Sequence, residues 1–380
     1  MTFLENSYQR FESKINLFLE ASNWRWRVVV VSGILMLLSF FNNTMPFDDF
    51  RLFYEEAIVK KDEFFLYKVT RDRAQNLTEH RVYLEGASNN RVFRLTLPVI
   101  IKVLHIRHVS LFVYGLQLML GVLLYFMLTS FLFELLNDKM ATLLAMISLA
   151  CIYFGSSFFI ENCGYGDFYT FFFLFLGMYF RNPLVIFVSV FLATWCDERA
   201  AVASGLVFLW WWIAPTIKYN RKITFIPSWQ MIAIVFGVIA YAAIRLYLMK
   251  YVGMSATYKE GEFMQMIQDS WRSFGFKFTW VLEGFWLIML LAFGILYSTK
   301  DYLKLTAIAG GTLTMLFLGM TTYDSTRSGS YVFPMIFLGI MVVRARLTDR
   351  QLRIVLAIVA LICFLHPLAT KTRGVGYFLM

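Results

Sequence analysis

Charge is scarce in this 380-residue chain: Asp, Glu, Lys and Arg make up 16% of it, where a soluble domain averages about 25%. With 59% hydrophobic residues and a mean hydropathy of +0.62, the shortage argues against a water-soluble domain and points to a polytopic membrane protein. Cysteine is equally sparse. Cys151, Cys163, Cys196 and Cys363 form neither a CxxC nor a zinc spacing. Cys151 and Cys363 lie in apolar runs as packing residues, and only the nearness of Cys163 and Cys196 to loops on one side would argue for a disulfide. The four histidines include no HExxH, which argues against a zinc hydrolase. GxSxG and Walker A patterns are missing too, as are internal repeats and low-complexity segments. The first apolar run begins only near Val28 and has no small-residue cleavage site, so it is expected to stay as a signal anchor.

What the chain does have is aromatics, 18% of it, as lipid-facing helices with interfacial belts require. Its net charge of +10 fits Lys and Arg in cytoplasmic loops against anionic lipid headgroups; no nucleic-acid-binding pattern is present. Residues 1–27 read as a cytoplasmic amphipathic segment, with Phe11, Ile15, Phe18 and Leu19 at helical spacing and Trp24-Arg25-Trp26-Arg27 as an interfacial anchor. Residues 28–380 read as one all-α transmembrane domain of about eleven helices: 28–41, 109–134, 140–160, 168–180, 183–195, 200–214, 230–248, 278–298, 305–320, 329–343 and 352–367. A long external loop, 42–108, follows the first. Within it, residues 95–106 are too short to cross a bilayer, which takes about 20 apolar residues, and form an interfacial helix. On this parity the short cytoplasmic loops are basic (Arg181, Lys218, Arg344) and the short external ones acidic (Glu161, Asp167, Asp197), the positive-inside pattern. The runs 183–195 and 200–214 are short because a single helix through Cys196-Asp197-Glu198-Arg199 would bury three charges, at about 2.5–3.5 kcal/mol each.

Four acidic motifs fall on the external side: Phe47-Asp48-Asp49-Phe50, the stretch from Glu161 to Asp167, Asp197-Glu198-Arg199, and Asp324-Ser325-Thr326-Arg327. Each has a plain structural reading. Asp48 or Asp49 can cap the helix that follows, Gly164-Tyr165-Gly166 can be a tight turn, Asp197-Glu198-Arg199 can neutralise itself at a helix break, and Asp324 with Arg327 can be a surface ion pair of little energetic value. Their agreement on one side is the stronger signal. An Asp there can take the proton of an attacking hydroxyl. A second carboxylate such as Asp167, with Glu161, can orient the acceptor or hold Mg²⁺ or Mn²⁺. Arg199 and Arg327, and less directly Arg51 and Arg94, can bind phosphate in bidentate fashion.

With these residues placed, the chain resembles the multi-spanning glycosyltransferases of the GT-C type, which use polyprenyl-phosphate-linked sugars. In that family the long first external loop opens with a catalytic acid, matching Asp48 or Asp49, and the next external loop carries a second, matching Asp167. The stretch 324–334 is similar to segments of bacterial polysaccharide-assembly enzymes. The resemblance implies an inverting sugar transfer outside the cytoplasm, from a lipid-linked donor to a glycan or lipid acceptor; the compactness of the chain favours a bacterial inner membrane, with the site facing the periplasm or exterior. Asp197, Glu198, Arg199, Asp324 and Arg327 would lie along the substrates. A polymerase or ligase of lipid-linked glycans, and a transporter or flippase built around Arg245 and Glu283, are the alternatives.

Overall fold

The computed structural model describes residues 12–43, 47–78, 91–221, 223–255, 274–320, 322 and 325–366, with isolated positions 264, 268 and 271. Among them all regular structure is helical. A helix over 12–19 leads into α1 (Trp24–Asn43). Three short helices follow: α2 (Phe47–Phe53), extended by a π-turn, α3 (Leu66–Gln75) and α4 (Thr96–Leu104). At 9 residues α4 is far below a span. The 28-residue α5 (Val109–Leu136) is the longest helix, and the buried Glu63 caps it by accepting the Val109 and Ser110 amides at 2.7 and 2.6 Å. A carboxylate at a helix N-terminus also meets the positive end of the dipole.

Helices α6 (Lys139–Cys151) and α7 (Tyr153–Ile160) form a pair bent by 56° at the extended residue Ile152. Then come α8 (Asp167–Tyr179), α9 (Pro183–Cys196), α10 (Arg199–Lys218) and α11 (Trp229–Tyr247). The last helices are α12 (Phe274–Leu282), α13 (Phe285–Ser298), α14 (Tyr302–Met320), α15 (Ser325–Gly329), α16 (Phe333–Arg344) and α17 (Asp349–Leu365). Six helical stretches are long and apolar enough to cross a membrane, seven if the bent pair counts as one. Their outward faces are apolar: on α1, Val30, Ile34 and Leu38 are each more than half exposed at helical spacing. Such stripes are unfavourable in water and suited to lipid. The break between α9 and α10 falls where the charge argument puts it. The second helix, however, runs on through Pro215, which stands in its last turn, where the lost hydrogen bond is least disruptive.

The stretch Thr326–Arg344 is wholly buried, against 28% of Trp229–Val252, so α16 forms the centre and α11 the rim. Two ends of the bundle are set by contacts. At one, Arg181 and Lys218, closing α8 and α10, reach Glu134 near the end of α5, and Arg344 of α16 donates to the Leu136 carbonyl. Arg353 of α17 pairs there with Asp138. At the other, α8 and α10 begin beside each other through Asp167 and Arg199, and α2 is held by Phe50 stacked on Phe159 at 5.3 Å.

The bend between α6 and α7 depends on Gly155. A Cβ there would stand 2.0 Å from the Leu149 carbonyl oxygen, a backbone atom that cannot swing away. Gly155→Ala is expected to cost about 1–3 kcal/mol and to lower the melting temperature of the detergent-solubilised protein; an unchanged melting curve would contradict this account of the bend.

Candidate active site

Three of the four acidic motifs deliver residues to one buried cluster at the α8–α10 start. Gly166, at φ 84, lets the chain turn sharply from Glu161 into α8, in a conformation that a side chain disfavours. Asp167 is then the first residue of its helix, where the dipole favours a carboxylate. Its Oδ1 accepts from Arg199 at 2.8 Å; its Oδ2 accepts from Arg327 and, at 3.0 Å, from the Tyr153 hydroxyl. Arg199, opening α10, bonds back to Asp197 through Nε at 2.8 Å and forward to the Ser328 hydroxyl. Arg94, just before α4, pairs with Asp197 at 2.8 Å and makes a fork onto Glu198 at 3.2 and 3.4 Å. Asp167 and Asp197 are fully buried.

Such burial is tolerable only because every charge is paired. Burial pushes the Asp197 carboxyl up, but Arg199, Arg94 and the Arg199 amide more than reverse this and hold it below the usual carboxylate range. Arg94 is held above its ordinary value, since Asp197 and Glu198 outweigh its burial.

Glu161 behaves differently. Its oxygens accept the backbone amides of Gly166 at 2.9 Å and Phe168 at 3.4 Å. Burial, then the charge of Asp167, pushes its carboxyl up to about 7 from 4.5. Between those values an unfolded chain has released the proton and the native one has kept it. This group's contribution to stability therefore falls as pH rises from about 4.5 to about 7, and is constant above. Glu161→Gln is expected to flatten that part of the melting-temperature profile; the same slope in wild type and variant would contradict it.

Arg91 is the one cation of the group left without an anion among the described residues. It is half-buried, and its guanidinium lies 4.9 Å from the centroid of the Tyr165 ring, on which Arg327 also lies at 3.6 Å. Burial, then the charges of Arg94 and Arg327, pulls it down from its ordinary value, and the nearby charge of Asp167 offsets this only in part. It stays charged at neutral pH. Beside the same Tyr165 ring, at 6.3 Å, stands exposed Phe65, at a strained φ of 41°. Comparison with protein-family models, curated proteins and solved structures finds no match to this chain.

The remaining candidates are placed as follows. Asp49 is buried in α2, next to Phe50, which stacks on Phe159 two residues before Glu161. The Asp48 side chain and Asp324 lie outside the described residues. Arg51 is exposed and pairs with Glu55 at 3.7 Å, so it belongs to the surface of α2 and not to the buried cluster. Arg327 pairs with Asp167. All four cysteines are buried, and none is in a disulfide, so Cys163 and Cys196 are not bridged. Glu161 and Asp167 offer a divalent cation only oxygens already occupied by amides, guanidiniums or a hydroxyl, and no group of three His, Cys, Asp or Glu suited to a metal occurs among the described residues. This donor set does not fit Mg²⁺ or Mn²⁺ without rearrangement, and no step below runs through a metal. Arg91 lies outside the four acidic motifs, and Tyr165 lies within the second one, read there only as part of a turn. The signal for Arg91 was its spacing: Arg91-Val92-Phe93-Arg94 puts two arginines one turn apart, ahead of an apolar helix.

Proposed function

We propose that this chain is an integral-membrane glycosyltransferase that moves a sugar from a polyprenyl-phosphate donor to an acceptor hydroxyl on the extracytoplasmic face. The observation that carries the reading is Arg91, which makes no ion pair among the described residues and stands at the edge of a cluster whose other guanidiniums are all paired. A lipid phosphate would supply the missing anion, with Tyr165 as a platform for the sugar or the guanidinium. Arg199, proposed from sequence to hold the phosphate, is spent on Asp197 and Asp167 and is better cast as the residue that fixes them.

In the reaction, the acceptor oxygen attacks the anomeric carbon, its proton passes to Asp49, and the bond from that carbon to the phosphate oxygen breaks with its electron pair on the phosphate. Arg91 stabilises the charge that develops there. Asp167 holds Arg327 and Arg199 in place. The eleven-span reading is supported by the end contacts, which alternate along the chain; the end that carries Arg181, Lys218 and Arg344 in short loops would face the cytoplasm. Transport is less well supported: Arg245 is engaged with the Tyr241 hydroxyl and the Phe93 ring, and the ionic cluster lies at one end of the bundle, not midway.

The test is Arg91→Ala in protein reconstituted with polyprenyl-phosphate sugars. Transfer at limiting donor is expected to fall at least about tenfold, roughly what one charge-assisted contact contributes, with the melting temperature unchanged. Transfer equal to wild type would remove Arg91 from the donor site.

A further inference from the structure

The opposite end of the same helices holds a second site. Between the ends of α5, α8 and α10 lies a cavity of about 550 Å³, within the range of small-molecule sites, about 300–1,000 Å³. It is separate from the ionic cluster: α8 runs 13 residues from Asp167 to Tyr179, about 20 Å at the helical rise.

The walls are apolar and aromatic, with Phe131 packed on Trp210 at 5.3 Å and Met178 beside them. The mouth is charged. Glu134 accepts from Lys218 at 2.9 Å and from Arg181 at 3.3 Å, so two cations share one anion. All three side chains face outward, Arg181 at 74% exposure; pairs of this kind are held weakly and re-partner at little cost. Pro215 also lines the cavity.

An apolar cleft topped by a net positive rim, on a bundle whose outer faces are apolar, matches one ligand chemistry. We propose that this cavity seats a single anionic glycerophospholipid. Its phosphate meets Arg181 and Lys218, and its upper acyl chain lies against Phe131 and Trp210. A soluble phosphate compound would use the rim and leave the aromatic wall empty, and a zwitterionic lipid would bring its own cation into a rim already in excess of positive charge.

Native mass spectrometry of the full chain in a neutral detergent tests this, with phosphatidylglycerol or phosphatidylcholine titrated in. Phosphatidylglycerol is expected to be retained about tenfold more tightly. Arg181→Gln combined with Lys218→Gln should abolish the preference. Glu134→Gln, which removes the competing anion, should strengthen it, an effect that loss of folding cannot mimic. Excess glycerol phosphate should not displace the lipid. Equal retention of the two lipids by the native chain, or weaker phosphatidylglycerol binding in Glu134→Gln, would overturn the site; displacement by glycerol phosphate would overturn the assignment to a lipid.

Discussion

Replacing Asp197 with alanine is expected to destabilise the protein by about 3–5 kcal/mol, the range for removing one partner of a buried ion pair. Asp197 is fully buried and meets both Arg94 and Arg199. Its loss leaves Arg94 with the partly exposed Glu198 and Arg199 with Asp167 as their remaining carboxylates, so two desolvated guanidiniums each lose one of two anionic partners. Removal of the charge and removal of the volume are separable. Asp197→Asn keeps the shape and some hydrogen bonds and should fall between wild type and alanine. Thermal melting in detergent measures both, and an alanine variant within about 0.5 kcal/mol of wild type, the range for ordinary surface changes, would show that the cluster does not hold α4, α9 and α10 together.

The second large effect concerns chemistry and not folding. Asp49→Asn is expected to lower sugar transfer by about 10²–10⁴-fold, the contribution of a general base, while the melting temperature stays near that of wild type. Asn occupies the same volume in α2 and leaves the Phe50–Phe159 stack untouched. Asp48→Asn, made separately, distinguishes the two adjacent acids. A loss of activity confined to Asp48→Asn would move the base by one residue, and full activity in both would remove it from this loop.

Much of the architecture can be read from hydropathy, because a helix in lipid must be apolar over its length and its charges must sit where it ends. The Asp197-Glu198-Arg199 break between α9 and α10 follows from the cost of burying charge and from nothing subtler. The failure at Pro215 has an equally simple origin: a proline near a helix end removes one hydrogen bond that the last turn can do without. Pairing is another matter. Arg327 reaches Asp167 across 160 residues and Arg94 reaches Glu198 across 104, separations at which one sequence carries no sign of contact. Side chemistry narrowed the members of the cluster, but only the fold shows that Arg199 is consumed internally while Arg91 makes no ion pair among the described residues. Arg51 is the opposite case. Its partner Glu55 stands at i+4 on the same helix, so local spacing alone could have placed it on the surface.

Arg91, without an ion pair among the described residues, is the proposed contact for a lipid phosphate at the edge of the ionic cluster. Identifying by mass spectrometry the lipids that co-purify with wild type and with Arg91→Ala tests it most directly. An isoprenoid phosphate carried by wild type and depleted in the variant is the expected result. Its absence from wild type, or equal amounts in both proteins, would contradict the donor site and the reaction built on it.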